Sequence, residues 1–385
     1  MRILLVVPLY PPTLGGAELQ AQGLARQLVG LGARVTVLTR PCMDEATVDT
    51  EAGVHVIRGL SAVPLGPLWG LTYMMSAARW GRRLAADWDL IHNQQVGLHS
   101  WPSVRVANSL GRPCLLRFAC SGTGGDLATL SRQRFGRRMI EGLRGADRFV
   151  ALASGGAEEL TAYGLAAERV RIIPNGVDLQ RFAVQSWPPA DLSAAIRLLF
   201  VGRLHPQKGL DMLVEALALL KQPERFCLRV VGEGSQAAKL RRQVQDAGLD
   251  RVVTFLGRQQ DVVAQYAWSE VVVLPSRFEG MPNVVLEAMA CARPVLATGV
   301  DGTRQLLADE VGGWLTPSGD VAALARRLDD IASRRGQFAM IGLAARRVVE
   351  SRYSAASSAA CYLREYEAIL ATRTGAMPAP PPPLA

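Results

Sequence analysis

Along this chain, runs of β-branched and leucine residues alternate with stretches whose apolar residues recur every three or four positions. The run Arg2–Val7 is apolar after its first residue, which predicts a strand buried on both faces. A Pro-Pro turn and Gly15–Gly16 follow, then an amphipathic helix to about Leu31 and a strand over Arg34–Thr39. That order is a βαβ unit, the opening of a parallel sheet. Further strands are predicted at Val54–Arg58, Asp89–His92, Cys114–Phe118, Arg148–Leu152 and Val170–Ile173, mostly separated by helical periodicity. The helix near Leu68–Ala86 is apolar and carries Trp69, Tyr73, Met74, Met75 and Trp80. Such a stripe reads either as core or as a surface that docks on lipid.

The segment Gln185–Ala195 is rich in Pro and Ala with weak periodicity, as in a domain linker. The pattern then restarts. Strands are predicted at Ile196–Val201, Phe226–Val231, Val252–Phe255, Val271–Leu274 and Pro294–Ala297. Helices fall between them at Gly209–Leu220, Ser235–Ala247, Gln260–Ala267 and 282–292. Helical patterns continue through Val321–Ser333, Phe338–Val349 and Ala355–Ala371, and the proline-rich tail 373–385 is expected to be disordered. The fold class is therefore α/β, with two doubly wound Rossmann-like domains, over 1–184 and 196–350, and a last helix over 351–372. Ligands of such sheets sit beyond the carboxyl ends of the strands, so two facing domains are expected to form a cleft.

Charge narrows the partners only a little. A net charge of +9 and a pI near 9.6 call for an anionic partner, whether nucleic acid, anionic lipid or a phosphorylated substrate. Residues 1–182 hold 20 Arg, no Lys and 14 acidic residues, a surplus of six positive charges. Arg132, Arg134, Arg137, Arg138, Arg144 and Arg148 fall in one stretch, either a solvated helix face or a surface that meets anionic membrane lipid. No aromatic interleaving or nucleic-acid motif accompanies it, so no nucleic acid is expected. The six cysteines form no CxxC pair and have no metal-like spacing with the four histidines, which fits a reduced cytoplasmic chain. No stretch reaches the roughly 20 apolar residues of a membrane span, so any membrane contact is expected to be peripheral, at the inner face.

Three motifs carry chemistry. In "PSRFEGMPNVVLEAMACARPVLAT" (275–298), Glu279 lies in a loop at a strand's end and Glu287 eight residues on, inside the next helix. Gly280, Met281 and Pro282 shape the turn, and the helix start at Asn283–Val284 points backbone N–H groups outward, an anion site suited to a diphosphate. In "FVGRLHPQKG" (200–209) a strand ends at Gly202, and Arg203 and Lys208 flank the turn that follows. A planar fork and a point charge at that place suit a phosphate pair. In "PLYPPTLGGAELQ", Gly15–Gly16 sit between the first strand and helix, where backbone approaches a ligand closely. The dinucleotide pattern GxGxxG is absent there, and no acidic residue closes the second strand, which counts against a dinucleotide oxidoreductase.

The set Gly15–Gly16–Ala17–Glu18, "IPNGVD" (173–178), "VGRLHPQKG", "VVGEGS" (231–236), "FLGR" (255–258) and the E-x7-E segment resembles glycosyltransferase family 4, in order over about residues 2–370. The resemblance implies the two-domain GT-B architecture and transfer of a sugar from a nucleotide-sugar donor, such as a UDP- or GDP-sugar, with retention of anomeric configuration. It implies that Arg203 and Lys208 hold the donor diphosphate, that Glu279 and the backbone of Gly280–Asn283 contact the transferred sugar, and that Glu287 meets the ribose. Gly16 would lie against the diphosphate, Glu233 and Arg258 would line the base, and Ala355–Ala371 would brace the N-terminal domain, which would bind a glycan or lipid-linked acceptor. The family generally needs no cofactor or bound metal, and the sequence has no Asp-x-Asp motif.

The chain departs from the family in the loop "FACSGTGGDL" (118–127), where many relatives carry a histidine facing the donor sugar. Ser121, Gly122 and Asp126 are the nearest substitutes, and His92 and His99 lie at another strand end. Ala292 also stands where relatives usually place glycine. The readings that compete are a nucleotide-sugar epimerase or a phosphorylase on the same plan, and a catalytically inactive nucleotide-sugar-binding or assembly protein. The altered loop is the one feature that favours the inactive protein.

Overall fold

The computed structural model describes residues 1–12, 15–42, 48–66, 68–122, 124–187, 194–307 and 311–374. The centre of the linker (188–193), Thr123 of the 118–127 loop and the tail beyond residue 374 lie outside the described residues.

The chain forms two compact units, Met1–Gly176 with Ala355–Ala385, and Val177–Ser354. In the first unit the order is β1 (Arg2–Val6), α1 (Gly16–Gly30), β2 (Arg34–Leu38), β3 (Val48–Glu51), β4 (Val54–Ile57), α2 (Leu68–Arg83) and β5 (Leu90–Asn93). There follow α3 (Ser100–Ser109), β6 (Cys114–Arg117), α4 (Asp126–Ser131), α5 (Gly136–Leu143), β7 (Arg148–Ala151), α6 (Ser154–Ala162) and β8 (Val170–Ile172). The sheet runs β3-β4-β2-β1-β5-β6-β7-β8, parallel throughout except for β3, which pairs antiparallel with β4. β3 is invisible to hydrophobic periodicity because its sequence, Val-Asp-Thr-Glu, lies at the sheet edge with nothing to bury.

The second unit contains β9 (Ile196–Val201), α7 (Leu210–Ala218), β10 (Phe226–Val231), α8 (Ala237–Asp246), β11 (Val253–Gly257), α9 (Val263–Trp268) and β12 (Val271–Leu274). After these come α10 (Asn283–Ala290), β13 (Val295–Thr298), α11 (Asp301–Leu306), β14 (Gly313–Thr316), α12 (Val321–Ser333) and α13 (Phe338–Arg352). Its sheet is fully parallel, in the order β11-β10-β9-β12-β13-β14. β14 adds a strand to the five expected; its Gly-Trp-Leu-Thr run is short, and Gly313 packs against the Val295 carbonyl where a Cβ would not fit.

The central strands β1, β9 and β12 are apolar and buried because helices cover both faces of their sheets. Among the parallel strands each order reverses direction once, between β1 and β5 in the first unit and between β9 and β12 in the second. Such a reversal opens a crevice beyond the carboxyl ends of the two flanking strands, where ligands of open α/β sheets bind.

The last helix, α14 (Ala355–Thr374), belongs to the first unit, where Ala359, Tyr362, Tyr366 and Ile369 pack on the core beside α1. The unit boundaries differ from those read in the sequence, 184 and 350. Residues 177–184 pack in the second unit: Val177 bridges Ser354, Phe182 meets the Tyr266 ring edge-on at 6.0 Å, and Arg346 donates to the Phe182 carbonyl at 2.8 Å. Pro and Ala composition thus marked the segment after the crossing and not the crossing itself. Arg293, fully buried, fixes this segment further by donating to the carbonyls of Gln185 (3.3 Å) and Ser186 (2.7 Å), with Trp187 stacked on its guanidinium.

Candidate active site

The two strands beside the reversal in the second unit feed the two loops that carry the charged motifs. β9 ends at Val201 and leads into Gly202 and Arg203, and β12 ends at Leu274 and leads into Ser276 and Glu279. The loops touch because of one glycine. Gly209 adopts φ +67°, a left-handed conformation that side chains resist, and a Cβ there would fall inside the Pro275 carbonyl oxygen. Further bonds join the same loops: Arg277 N–H donates to the Gln207 carbonyl (2.8 Å), and Gln207 Nε2 donates to the Phe278 carbonyl (3.1 Å). Arg277 also pairs with Asp211 at 2.8 Å, and this partner lowers the Asp211 carboxyl and raises the Arg277 guanidinium.

Within this frame Lys208 Nζ lies 2.6 Å from Glu279 Oε1. Glu279 is buried, and the Ser276 hydroxyl donates to the same oxygen at 2.7 Å. Ser276 is itself held: its carbonyl accepts from the Thr298 hydroxyl and, at 3.5 Å, from Ser318. Arg203 is exposed, and its guanidinium has no hydrogen-bond or ion-pair partner among the described residues. One cation is thus committed to a carboxylate and one remains open to an incoming anion.

Glu287 lies on α10 and accepts from the Tyr266 hydroxyl at 2.7 Å. Burial raises its carboxyl above the ordinary range, opposed by that bond and by Arg181. Pro282 caps α10 and its carbonyl takes the Val285 N–H at 3.1 Å; Gly280, Met281 and Pro282 are buried, while Asn283 and Val284 are half-buried. Glu233 and Arg258 are both exposed, in the loops after β10 and β11. Gly232, at φ +131°, lets the first of these loops close on the Gly202 carbonyl, where a Cβ would collide. The sequence-derived residues of the second unit therefore fall on the loops following β9, β10, β11 and β12 and on helix α10, which holds Asn283, Val284 and Glu287. Ser276, Tyr266 and Gln207 were not singled out in the sequence. Ser276 stands three residues before Glu279, but a serine at a strand end gives no signal until its hydroxyl is seen to point at a carboxylate.

In the first unit, Gly15 precedes α1, which follows β1 at that unit's own reversal. The Glu18 carboxylate folds back over Gly15, where a Cβ would collide with it; Gly16 opens the helix. The 118–127 loop follows β6, one strand removed from the reversal. Asp126 faces its own loop, accepting from the Ala119 N–H at 2.6 Å, and burial pushes its carboxyl up to about 6. Gly122, at φ +82°, donates its N–H to Glu159 at 2.6 Å, and Ser121 is half-buried. Asp126 thus closes a turn, with Oδ2 engaged by the Ala119 N–H.

The histidines considered in the sequence are buried within the first unit. His92 is 0% exposed, its Nδ1 lies 2.6 Å from the Tyr366 hydroxyl of α14, and Tyr362 stacks on its ring. Burial holds His92 well below the ordinary imidazole range and takes His99 down to about 4. Both are therefore neutral core histidines. Arg117, also buried and not foreseen as important, donates to the Gln94 carbonyl at 2.8 Å and to Asn175.

Comparison with known proteins bears on the fold and the family. Residues 14–181 match the model described as Glycosyltransferase Family 4, and residues 195–334 match Glycosyl transferases group 1. The chain is 32% identical over 388 residues to the D-inositol 3-phosphate glycosyltransferase of Kineococcus radiotolerans, covering 86% of each chain. It is 30% identical over 390 residues to the enzyme of the same name from Salinispora tropica, covering 88% of this chain and 79% of that one. Over 205 residues it is 31% identical to the amylovoran biosynthesis glycosyltransferase AmsK of Erwinia amylovora, covering 51% of this chain and 50% of that one. Among solved structures, Anabaena Alr3699/HepE in complex with UDP and glucose superposes with a TM-score of 0.77 at 22% identity, over 96% of this chain and 100% of that one. The sucrose-phosphate synthase of Thermosynechococcus elongatus gives 0.76 at 24% identity, over 96% and 99%. With two Rossmann-like units in tandem and relatives at this level of identity, the chain belongs to the family 4 glycosyltransferases of GT-B architecture.

Proposed function

We propose that this glycosyltransferase takes its sugar from a nucleoside-diphosphate donor and passes it, with retention, to an acceptor hydroxyl in the synthesis of a glycan, polysaccharide or glycolipid. The observation that carries this reading is the Lys208–Glu279 pair at the sheet reversal, with Arg203 exposed and unpartnered among the described residues on the loop from β9. An arriving diphosphate offers Arg203 a bidentate partner and competes with Glu279 for Lys208. Glu279, still held by Ser276, then accepts hydrogen bonds from sugar hydroxyls. Glu287, oriented by Tyr266, does the same for the ribose, with Glu233 and Arg258 toward the base.

In the reaction the bond between the anomeric carbon and the phosphate oxygen breaks, and the acceptor oxygen bonds to the same face of that carbon. The departing phosphate oxygen takes the acceptor's proton, and Arg203 and Lys208 stabilise the charge left on the diphosphate. No protein base is required, so a 118–127 loop without histidine is compatible with turnover. The relatives named D-inositol 3-phosphate glycosyltransferase and amylovoran biosynthesis glycosyltransferase support a hydroxylated acceptor, and structures of Anabaena HepE with UDP and UDP-glucose support the donor class.

The test is incubation with UDP- and GDP-sugars against inositol phosphates and lipid-linked saccharides, with the product's anomeric configuration read by NMR. A product with the donor's configuration supports the reading. An inverted product, or conversion of the donor sugar without an acceptor, overturns it.

A further inference from the structure

Helix α2 turns outward side chains that a solvated helix does not carry. Its buried face is Tyr73, Ala77 and Gly81, on the core and α3. On the opposite side Leu68, Leu71 and Met75 are 49%, 51% and 62% exposed. With 3.6 residues per turn these three fall within about 60° of one another, and Arg79 and Arg82 continue the same stripe. The preceding segment widens it. Val63 N–H donates to the Thr72 hydroxyl at 3.0 Å and Ser61 N–H to the Ser76 hydroxyl at 3.1 Å, which lays 61–65 along the flank of α2. Val63 and Leu65 are 42% and 61% exposed there. Single exposed apolar residues are ordinary, but five on one strip of surface mark an interaction site.

The charge on α2 itself is of one sign. α2 contains no Asp or Glu, and Arg79, Arg82 and Arg83 are exposed and form no ion pair among the described residues. Arg83 lies over the Trp80 ring at 4.9 Å. α2 packs on α3 and α3 on α5, so the same helical layer also presents exposed Arg137 and Arg138 on α5 and Phe135 just before it.

We propose that the outer face of α2, with the segment 61–65, is a membrane-docking surface for anionic lipid. Leu65, Leu68, Leu71 and Met75 enter the acyl boundary, and Arg79, Arg82 and Arg83 meet headgroup phosphates. A second copy of the chain fits poorly, because it would set these arginines against their own kind. An anionic bilayer supplies an apolar layer and the opposite charge together. The surface lies wholly in the first unit, and the proposal stands independently of the donor reading.

The test is co-sedimentation of the full chain with phosphatidylcholine vesicles, with and without phosphatidylglycerol. The variants are Leu71→Glu/Met75→Glu, Leu65→Glu and Arg79→Glu/Arg82→Glu/Arg83→Glu. Wild type is expected to pellet only with the phosphatidylglycerol vesicles. The triple variant should bind roughly a hundredfold more weakly, and each apolar variant about tenfold more weakly, with thermal melting unchanged because only exposed side chains are altered. If Leu71→Glu/Met75→Glu melts early, the loop variant Leu65→Glu decides. Wild type that stays in the supernatant with both vesicles overturns the proposal, as does equal binding to both or variants that bind like wild type. Self-association in solution that Leu71→Glu/Met75→Glu abolishes, without vesicle binding, would assign the face to a second copy instead.

Discussion

Lys208 Nζ and Glu279 Oε1 lie 2.6 Å apart, 71 residues distant in sequence, and tie the loop after β9 to the loop after β12. The pair occupies the reversal of the second sheet, and both side chains are largely withdrawn from solvent, at 18% and 7% exposure. It is part of the fold and, in the function proposed above, part of the donor site, so a substitution there is predicted to act on both. Lys208→Ala leaves a buried carboxylate with Ser276 as its remaining partner among the described residues, and is predicted to cost about 3 kcal/mol of stability in urea unfolding as well as turnover. Lys208→Ala/Glu279→Gln should recover most of that stability and none of the turnover. A Lys208→Ala protein as stable as wild type would show that the pair does not hold the loops.

Arg203 separates the two roles. It is exposed and its guanidinium has no partner among the described residues, so Arg203→Ala is predicted to shift stability by no more than about 0.5 kcal/mol. Turnover should fall by roughly a hundredfold to a thousandfold, as for other groups that stabilise a departing charge. Steady-state kinetics and a melting curve on one preparation check both halves.

The 118–127 loop should make stability depend on pH in an unusual direction. Burial places Asp126 at about 6 in the folded chain, above the ordinary carboxyl value of 3.8. The folded state therefore holds this proton more tightly than the unfolded state. The resulting stabilisation is fully present below the ordinary value and is lost as pH rises through about 6. Asp126→Asn cannot ionise, so its stability relative to wild type should improve over that interval, by at most about 1.4 kcal/mol per pH unit. A difference between the two proteins that stays constant from pH 4 to 7 would contradict the assignment.

His92 acts in the opposite sense. Burial keeps it neutral and far below the ordinary imidazole value of 6.5, so the stability it permits is present above that value and falls as the unfolded chain protonates below it. Tyr366→Phe removes the hydroxyl 2.6 Å from His92 Nδ1 and is predicted to cost about 1–3 kcal/mol, the penalty for a buried polar group left unpaired. Hydrogen exchange should show the loss first in α14, because the Tyr366 hydroxyl joins that helix to His92 of β5 beside the stacked Tyr362 ring.

Much of this was legible in the sequence, for physical reasons. Strands buried on both faces are written as unbroken apolar runs, so β1, β9 and β12 were visible; β3, made of edge residues, and β14, four residues containing a glycine, were not. Charged residues beside a strand end suggest a ligand site, which is why Arg203, Lys208, Glu279 and Glu287 stood out, and the structure pairs two of them, Lys208 and Glu279. Their supports did not stand out, since Ser276 and Tyr266 act through hydroxyls whose partners lie on other loops or helices. His92 and Asp126 were candidates by position alone; the structure buries His92 in the core and bonds Asp126 to the Ala119 N–H. A polar residue at a strand end looks the same in sequence whether it faces a ligand or closes its own core.

The most direct test of the account is donor binding by thermal shift, for wild type and Arg203→Ala, against UDP-, GDP-, ADP- and TDP-sugars without added metal. At a hundredfold excess over Kd a true donor stabilises the native state by roughly 2.7 kcal/mol, and the account predicts such a shift for one nucleotide class in wild type and little or none in Arg203→Ala. No shift with any nucleotide sugar, or an equal shift in the variant, would contradict it.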